Sequence, residues 1–184
     1  MHRRFSAAPA RFLTWPFRHR SEDSLLHCLR IGDQYAWQRL VELWSPRLYS
    51  YMVYNTHSEA DAQALLQSVF STTLQILLTE LEHTNLTAII VGTAYRHVLD
   101  YQQTQGVPPY RTHTWAIDPA PQEEYFCLKL VALPATVRHI LLLRYLVGLT
   151  VWELVQATGY SKQTLASLLY RSADHFTFSS SVSR

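Results

Sequence analysis

The sequence is poor in charge, glycine and cysteine, and it has no long apolar run. Only 16% of its 184 residues are charged, against roughly 25% in average globular domains. Apolar runs such as residues 140–143 are far shorter than the ~20 residues of a transmembrane helix, which predicts a soluble chain without one. The two cysteines, Cys28 and Cys127, lie far apart and suit a reducing compartment better than a disulfide framework, so both are predicted to be buried thiols.

Hydrophobic and aromatic residues are abundant instead, at 48% and 12%. This content excludes a disordered or low-complexity protein, because it supplies enough apolar surface to offset the entropy lost on folding. The length suits one ordinary domain or two small ones.

The net charge of +2 conceals an uneven distribution. Residues 1–20 contain five arginines and no acidic residue, residues 21–105 contain four arginines against nine acidic residues, and residues 120–184 contain six basic against four acidic residues. A basic arm, an acidic block and a mildly basic block suggest different binding partners. The arm, residues 1–21, also has the composition of an organellar targeting peptide, so that alternative stays open.

Apolar residues recur at helical spacing from residue 25 onward, and no stretch alternates as a strand does, which predicts an all-α chain. Helices are predicted at residues 22–31, 35–54, 87–103, 123–132, 135–146 and 162–175, with a further one after a Ser58-x-x-Asp61 cap. Gly32 predicts the end of the first helix and Asp33 the cap of the second. Pro46 predicts a kink or restart within the second helix. A proline-rich linker at 106–121 divides a domain at 22–105 from one at 122–177, with a tail at 178–184.

The segment from residue 133 to 176 carries the most specific pattern. Leu141, Leu142 and Tyr145 are predicted to form the inner face of one helix. Thr150 and Glu153 form a capping box, residues 158–160 a glycine turn, and Ser161 a second cap. This order is typical of a helix-turn-helix, whose second helix enters the DNA major groove. An ordinary helical hairpin is the alternative.

Nothing in the sequence favours an enzyme. The nine histidines are dispersed, no metal-ligand spacing occurs, and a glycine-rich phosphate loop is absent. We therefore expect no catalytic residue, no metal and no cofactor. A one-component repressor is disfavoured because the N-terminal half does not suggest a ligand pocket.

Five motifs, in this order over two domains, resemble the extracytoplasmic-function sigma factors, the small members of the bacterial sigma-70 family. They are Gly32-Asp33-x-x-Ala36-Trp37, Asp61-Ala62-x-x-Leu65-Leu66-Gln67-x-x-Phe70, Ala94-x-x-x-x-Leu99-Asp100-Tyr101, Gly148-Leu149-Thr150 and Gly159-Tyr160-Ser161.

The resemblance implies that the first domain docks on core RNA polymerase and captures the promoter's minus-ten strand, whereas the second binds the minus-thirty-five duplex. The residues it implies for polymerase binding are Asp61, Leu65, Gln67 and Phe70; for the minus-ten strand, Tyr95, Arg96, Asp100 and Tyr101; for the recognition helix, Ser161, Lys162, Gln163, Ser167, Tyr170 and Arg171. Tyr95 and Tyr101 could stack on an unpaired base or lie partly buried in the helical core, and both interpretations stay open.

Departures from the family pattern fall on contact positions. Near the Leu-Leu-Gln motif, positions that are usually acidic in the family hold Gln63, Ala64 and Ser68 here. In the recognition helix, positions that are usually basic hold Ala166 and Leu168. Ile89 stands where the family commonly has a tryptophan, and Gln102 and Gln103 stand where the family has a run of basic residues.

We therefore expect a sigma factor that directs core RNA polymerase to promoters in the bacterial cytoplasm, associated with the nucleoid through polymerase. The alternative is a sigma-fold interaction module that binds polymerase or DNA without opening promoters alone. The expected partners are core polymerase and promoter DNA. An anti-sigma factor would suit an exposed apolar face, and no membrane contact is expected.

Overall fold

A computed structural model describes the backbone at residues 20–79, 85–106, 129–130 and 132–177, with side chains from residue 24 to residue 172 of these ranges. Within them the chain is helical and contains no strand, which confirms the all-α prediction. The ends of the helices agree with the ends predicted from the sequence to within two residues, wherever both are defined. The helices are α1 (Arg20–Arg30), α2 (Gln34–Val53), α3 (Glu59–Thr79), α4 (Leu86–Gln105), α5 (Ala135–Tyr145), α6 (Val151–Thr158) and α7 (Lys162–Thr177).

The first two helices meet at the predicted stop and cap. The Asp33 side chain accepts a hydrogen bond from the Tyr35 backbone N–H at 2.9 Å and so caps α2. The helix does not restart at Pro46, because α2 is continuous from residue 34 to residue 53. Proline removes one backbone donor, and both Pro46 and Glu42 are exposed, so water can reach the carbonyl that loses its partner.

Helices α3 and α4 form a packed pair. The Ser58 hydroxyl accepts from the Asp61 backbone N–H at 3.1 Å, as the cap signature predicted. The imidazole of His97 on α4 lies 3.2 Å from the hydroxyls of both Ser68 and Thr72 on α3. Burial lowers the pKa of His97 below its ordinary value.

The last three helices pack together, and α5 is buried on most sides. Its positions 139 to 143 are all buried, among them Leu141 and Leu142 as predicted. The prediction for Tyr145 is wrong, because this residue is 51% exposed. A helix with five consecutive buried residues has no single inner face, so the spacing from Leu141 and Leu142 did not determine whether Tyr145 is covered.

The two groups of helices, α1–α4 and α5–α7, pack directly against each other. We call them the N-terminal and the C-terminal unit. Helix α4 lies between α3 on one side and α6 of the C-terminal unit on the other. Buried residues of both units form one hydrophobic cluster. The contact therefore covers one side of α4.

Several predictions concern residues outside the described ranges. The basic arm, the tail, Cys127, almost all of the linker and most of the predicted helix at 123–132 fall there. Cys28 is a free thiol, as expected, but it is half-buried rather than fully buried. None of the helices in the described part of the chain combines the length and the hydropathy that crossing a membrane requires.

Candidate nucleic-acid and polymerase interface

Helices α6 and α7 form the predicted helix-turn-helix. The Thr150 hydroxyl accepts from the Glu153 backbone N–H at 3.2 Å, while the Glu153 carboxylate accepts from the Thr150 N–H at 2.6 Å. The short α6 ends at Gly159, whose φ of 76° is left-handed and therefore suits glycine. The Ser161 hydroxyl then accepts from the Thr164 N–H at 3.1 Å and caps α7. Both caps follow the sequence prediction.

We expect Thr150→Ala to lower the free energy of unfolding by about 1 kcal/mol, because the hydroxyl that caps α6 is lost. Thr150→Ser keeps a hydroxyl at the same place and serves as the matched control. Chemical denaturation monitored by circular dichroism measures both. Equal stabilities for the two variants would show that the Thr150 hydroxyl contributes nothing.

The residues predicted to contact DNA lie on the exposed sides of α7 and at its N-cap, Ser161. Leu165 and Ser172 are buried against the rest of the C-terminal unit, which orients the helix. Tyr170 is 77% exposed. The residues predicted for this face are each exposed: Ser161, Lys162, Gln163, Ser167, Tyr170 and Arg171. The arrangement leaves a polar surface with two cations that can meet phosphates, although Ser161 also caps the helix.

The residues predicted for the minus-ten strand do not share one environment on α4. Arg96 and Asp100 are exposed, whereas Tyr95 is only 8% exposed. The Tyr95 ring contacts the edge of the His139 ring, with centroids 5.7 Å apart, and its hydroxyl hydrogen-bonds Tyr160. Burial and that hydrogen bond raise the pKa of Tyr95. In this arrangement, no base can stack on Tyr95.

Tyr101 and Asp61 are joined in one polar cluster, although the resemblance assigned them to different partners. The Tyr101 hydroxyl donates to Asp61 Oδ2 at 2.9 Å and accepts from the His57 backbone N–H at 3.1 Å. Ser58 Oγ donates to the same carboxylate oxygen at 2.7 Å. Burial, followed by the contact with Asp61, raises the pKa of Tyr101. The predicted polymerase and minus-ten contacts are thus coupled by a direct hydrogen bond.

The four residues predicted to bind polymerase occupy different sides of α3. Asp61 and Leu65 are one helical turn apart and share a side. Gln67 lies two positions after Leu65, which places it nearly opposite, and it is exposed. Leu65 and Phe70 are half-buried against the hydrophobic core. Of this set, Gln67 is the side chain most open to a protein partner.

The contact between the two units involves residues for which the sequence motifs predict no function. His139 of α5 lies 3.0 Å from the Tyr51 hydroxyl through Nδ1 and 3.1 Å from Gln102 Oε1 through Nε2. Asn85 Nδ2 donates to Gln156 Oε1 at 2.7 Å. A polar histidine within a leucine-rich helix is a signal for such a contact, but only the fold shows what it meets.

Groups of three or more histidine, cysteine, aspartate or glutamate side chains able to hold a metal ion do not occur in the part of the chain that the structure describes.

No family model matches the sequence, and no curated protein matches it either. The structure superimposes on that of CnrH in complex with the cytosolic domain of CnrY, with a TM-score of 0.68 and 16% sequence identity, covering 84% of this chain and 94% of that chain. CnrH is an extracytoplasmic-function sigma factor. This chain has the fold of that family.

The sigma fold extends over both units, because 84% of the chain is more than either unit contains. The structure of the RsbN–BldN complex also matches, at 20% identity over 82% of this chain and 95% of that chain, but its TM-score of 0.38 is too low to support conclusions. The resemblance predicted from the sequence motifs is therefore confirmed at the level of the fold.

Proposed function

We propose that this protein is a sigma factor that brings core RNA polymerase to promoters. The observation that carries the proposal is the helix-turn-helix, in which α7 is anchored by Leu165 and presents an exposed outer face with Lys162 and Arg171. A helix presented in this way suits the major groove, and its cations suit phosphates on either side of the groove. The C-terminal unit would therefore bind the minus-thirty-five element, with α7 as the recognition helix.

The N-terminal unit would bind core polymerase and the minus-ten strand. Gln67 on α3, together with Arg96 and Asp100 on α4, is exposed and available for these contacts. Few charges lie on this face of α3, so docking would depend on apolar and polar contacts more than on electrostatic steering. Tyr95 and Tyr101 would contribute only after the contacts described above rearrange.

A second function is favoured by the placement of the aromatic residues. Tyr95 is buried, Tyr101 is hydrogen-bonded to Asp61, and the exposed position 166 of α7 holds alanine. A protein with these features could use the sigma fold to bind polymerase or DNA without opening promoters alone. The two functions differ in one measurable step, which is promoter-specific transcription.

An anti-sigma factor is a further proposed partner. The structural neighbour CnrH is in complex with the cytosolic domain of CnrY. Exposed apolar side chains occur in both units here, among them Ile31 and Tyr35 near the start of α2 and Trp152 on α6. Such side chains would suit a protein partner.

The proposal is tested by adding the protein to core polymerase and mapping transcripts from genomic fragments of the source organism. We expect a stable complex with core polymerase and discrete transcript starts that share an upstream element. The Lys162→Ala/Arg171→Ala variant should keep the complex and lose the discrete starts. A stable complex without any promoter-specific transcript would favour the interaction module, and absence of a complex would contradict the sigma-factor function.

A further inference from the structure

Helix α7 presents a row of uncharged side chains on the side opposite its buried residues. Gln163 and Tyr170 are seven positions apart, about two helical turns, and therefore lie on the same side of the helix. Leu165 and Ser172 each follow two positions later, about 200° further round the helix, and both are buried. The side chains that point away from this buried side are all exposed, and we call them the outer row: Gln163, Ala166, Ser167 and Tyr170.

The two cations of α7 that are proposed to meet phosphates stand beside the outer row rather than in it. Lys162 comes directly before Gln163 and Arg171 directly after Tyr170, which turns the two charges about 100° to opposite sides of the row. When the row faces the floor of a major groove, each cation lies on the side of one of the phosphate backbones that border the groove. Phosphate contacts position a helix but carry no sequence information. Reading of the bases therefore falls to the outer row.

Gln163 is the member of the outer row best placed to read a base. It is the second residue of α7, and in helix-turn-helix proteins the N-terminal residues of the second helix contact the base edges. The hydroxyls of Ser161 and Thr164 bond to each other at 2.8 Å, next to Gln163 in the sequence. In the part of the chain that the structure describes, the Gln163 amide makes no hydrogen bond, so both of its polar atoms are free for a ligand.

The amide group of Gln163 matches one base. Its Oε1 can accept from the N6 amino group of adenine while its Nε2 donates to adenine N7. Adenine is the only base that presents a donor and the N7 acceptor together on its major-groove edge.

The rest of the outer row fits the same type of base pair. Ala166 follows Gln163 by three positions, less than one helical turn, and an alanine methyl suits contact with the C5-methyl group of thymine. Arginine and lysine, whose side chains most often read guanine, are absent from the four positions of the row. The row therefore favours A·T pairs over G·C pairs.

We propose that Gln163 is a specificity-determining residue that selects adenine in the major groove, and that the outer row directs α7 to a duplex element containing A·T pairs. The inference rests on the proposed binding of α7 to duplex DNA and adds to it the base that is read. Loss of Gln163 changes which sequence is bound, because its contact is to a base. Loss of Lys162 or Arg171 weakens binding to all sequences alike, because their contacts are to phosphates.

The test selects binding sites for the full chain from a library of short duplexes with a randomised central window. Sequencing of the bound duplexes gives the base preference at each position. Gln163→Ala removes the amide and places a strong helix former at an exposed position, so α7 is retained. Gln163→Arg replaces the amide by a guanidinium, whose bidentate partner is guanine. Gln75→Ala, which removes an exposed glutamine of α3, is the matched control.

We expect the parent to prefer adenine at one position by about tenfold over the other bases, the discrimination of a single bidentate pair. Gln163→Ala should lose this preference and keep the preferences at other positions. Gln163→Arg should replace adenine by guanine at the same position, and Gln75→Ala should match the parent. The proposal is overturned if Gln163→Ala keeps every preference of the parent, or if the parent selects no base at all.

Transcription with core polymerase separates this inference from the proposed function. Discrete transcript starts, combined with site selection that Gln163→Ala leaves unchanged, would contradict the role of Gln163 and support the sigma-factor function. Adenine selection that Gln163→Ala abolishes, combined with a lack of promoter-specific transcripts, would support the role of Gln163 and favour the interaction module. Failure of the inference and failure of the proposed function thus give different results.

Discussion

Acidification from pH 6.5 to pH 4 is expected to lower the free energy of unfolding by about 3 kcal/mol through His139 alone. Burial, followed by the nearby Arg138, lowers the pKa of this imidazole from 6.5 to about 4. The unfolded chain therefore binds a proton in this range that the folded chain does not. The contribution of His139 to the free energy of unfolding falls as the pH drops from 6.5 to 4, and it changes little above or below this range.

The His139→Gln variant isolates this contribution, because glutamine offers an amide at the same position and does not titrate. Denaturant unfolding is measured for both proteins from pH 4 to pH 7. The difference in unfolding free energy between them should shrink steadily as the pH falls. Tyr51 and Tyr95 also face His139, but neither ionises in this range. A constant difference would show that His139 is not held neutral by the fold.

Replacing both Lys162 and Arg171 by alanine is expected to weaken binding to a short duplex of mixed sequence by about sixtyfold at 0.1 M salt. Removing one cation from a phosphate lowers the slope of log affinity against log salt concentration by about 0.9 and weakens the affinity roughly eightfold at that concentration. Both side chains lie on the exposed face of α7. Fluorescence anisotropy over a salt series with the full chain measures the slope and the affinity together.

Two further variants on the same helix test whether charge is responsible. Gln163→Ala removes an exposed polar side chain and should leave the slope unchanged. Ala166→Arg adds a cation at an exposed position where the sigma-factor pattern usually has one, and it should raise the slope by about 0.9. If all of these variants bind with the parent slope, α7 does not contact phosphates.

Helix positions and caps could be predicted from the sequence because they depend on neighbouring residues. Asp33, Ser58 and Thr150 each bond to backbone N–H groups two or three residues away, so a short window of sequence contains the whole interaction. The same holds for Gly159, whose left-handed backbone ends α6. The helix-turn-helix was therefore predictable in detail. At Pro46 only the predicted restart is excluded, because α2 continues through the proline, and whether a proline interrupts a helix depends on solvent access to the carbonyl it leaves without a partner.

The candidate site was predictable only in part. The exposed face of α7 follows from helical periodicity. Leu165 and Ser172 lie on the buried side of the helix, and the predicted DNA contacts within α7 lie on its exposed sides. Tyr95 could not be placed in the same way, because what covers it comes from residues 139 and 160, far away in the chain. The pairing of Asp61 with Tyr101 likewise needs the packing of α3 on α4.

The sequence by itself determined the helical class, the capped helix-turn-helix and the scarcity of charge at the positions where a sigma factor meets its partners, because these are properties of composition and local spacing. Only the tertiary structure decided which side of α4 is covered. Gln102 and His139 belong to different units, and the hydrogen bond between them depends on how those units approach each other. Uncharged hydrogen-bonding groups and a shared hydrophobic cluster form that contact, and hydrogen bonds between residues far apart in the chain are specified by geometry rather than by pattern.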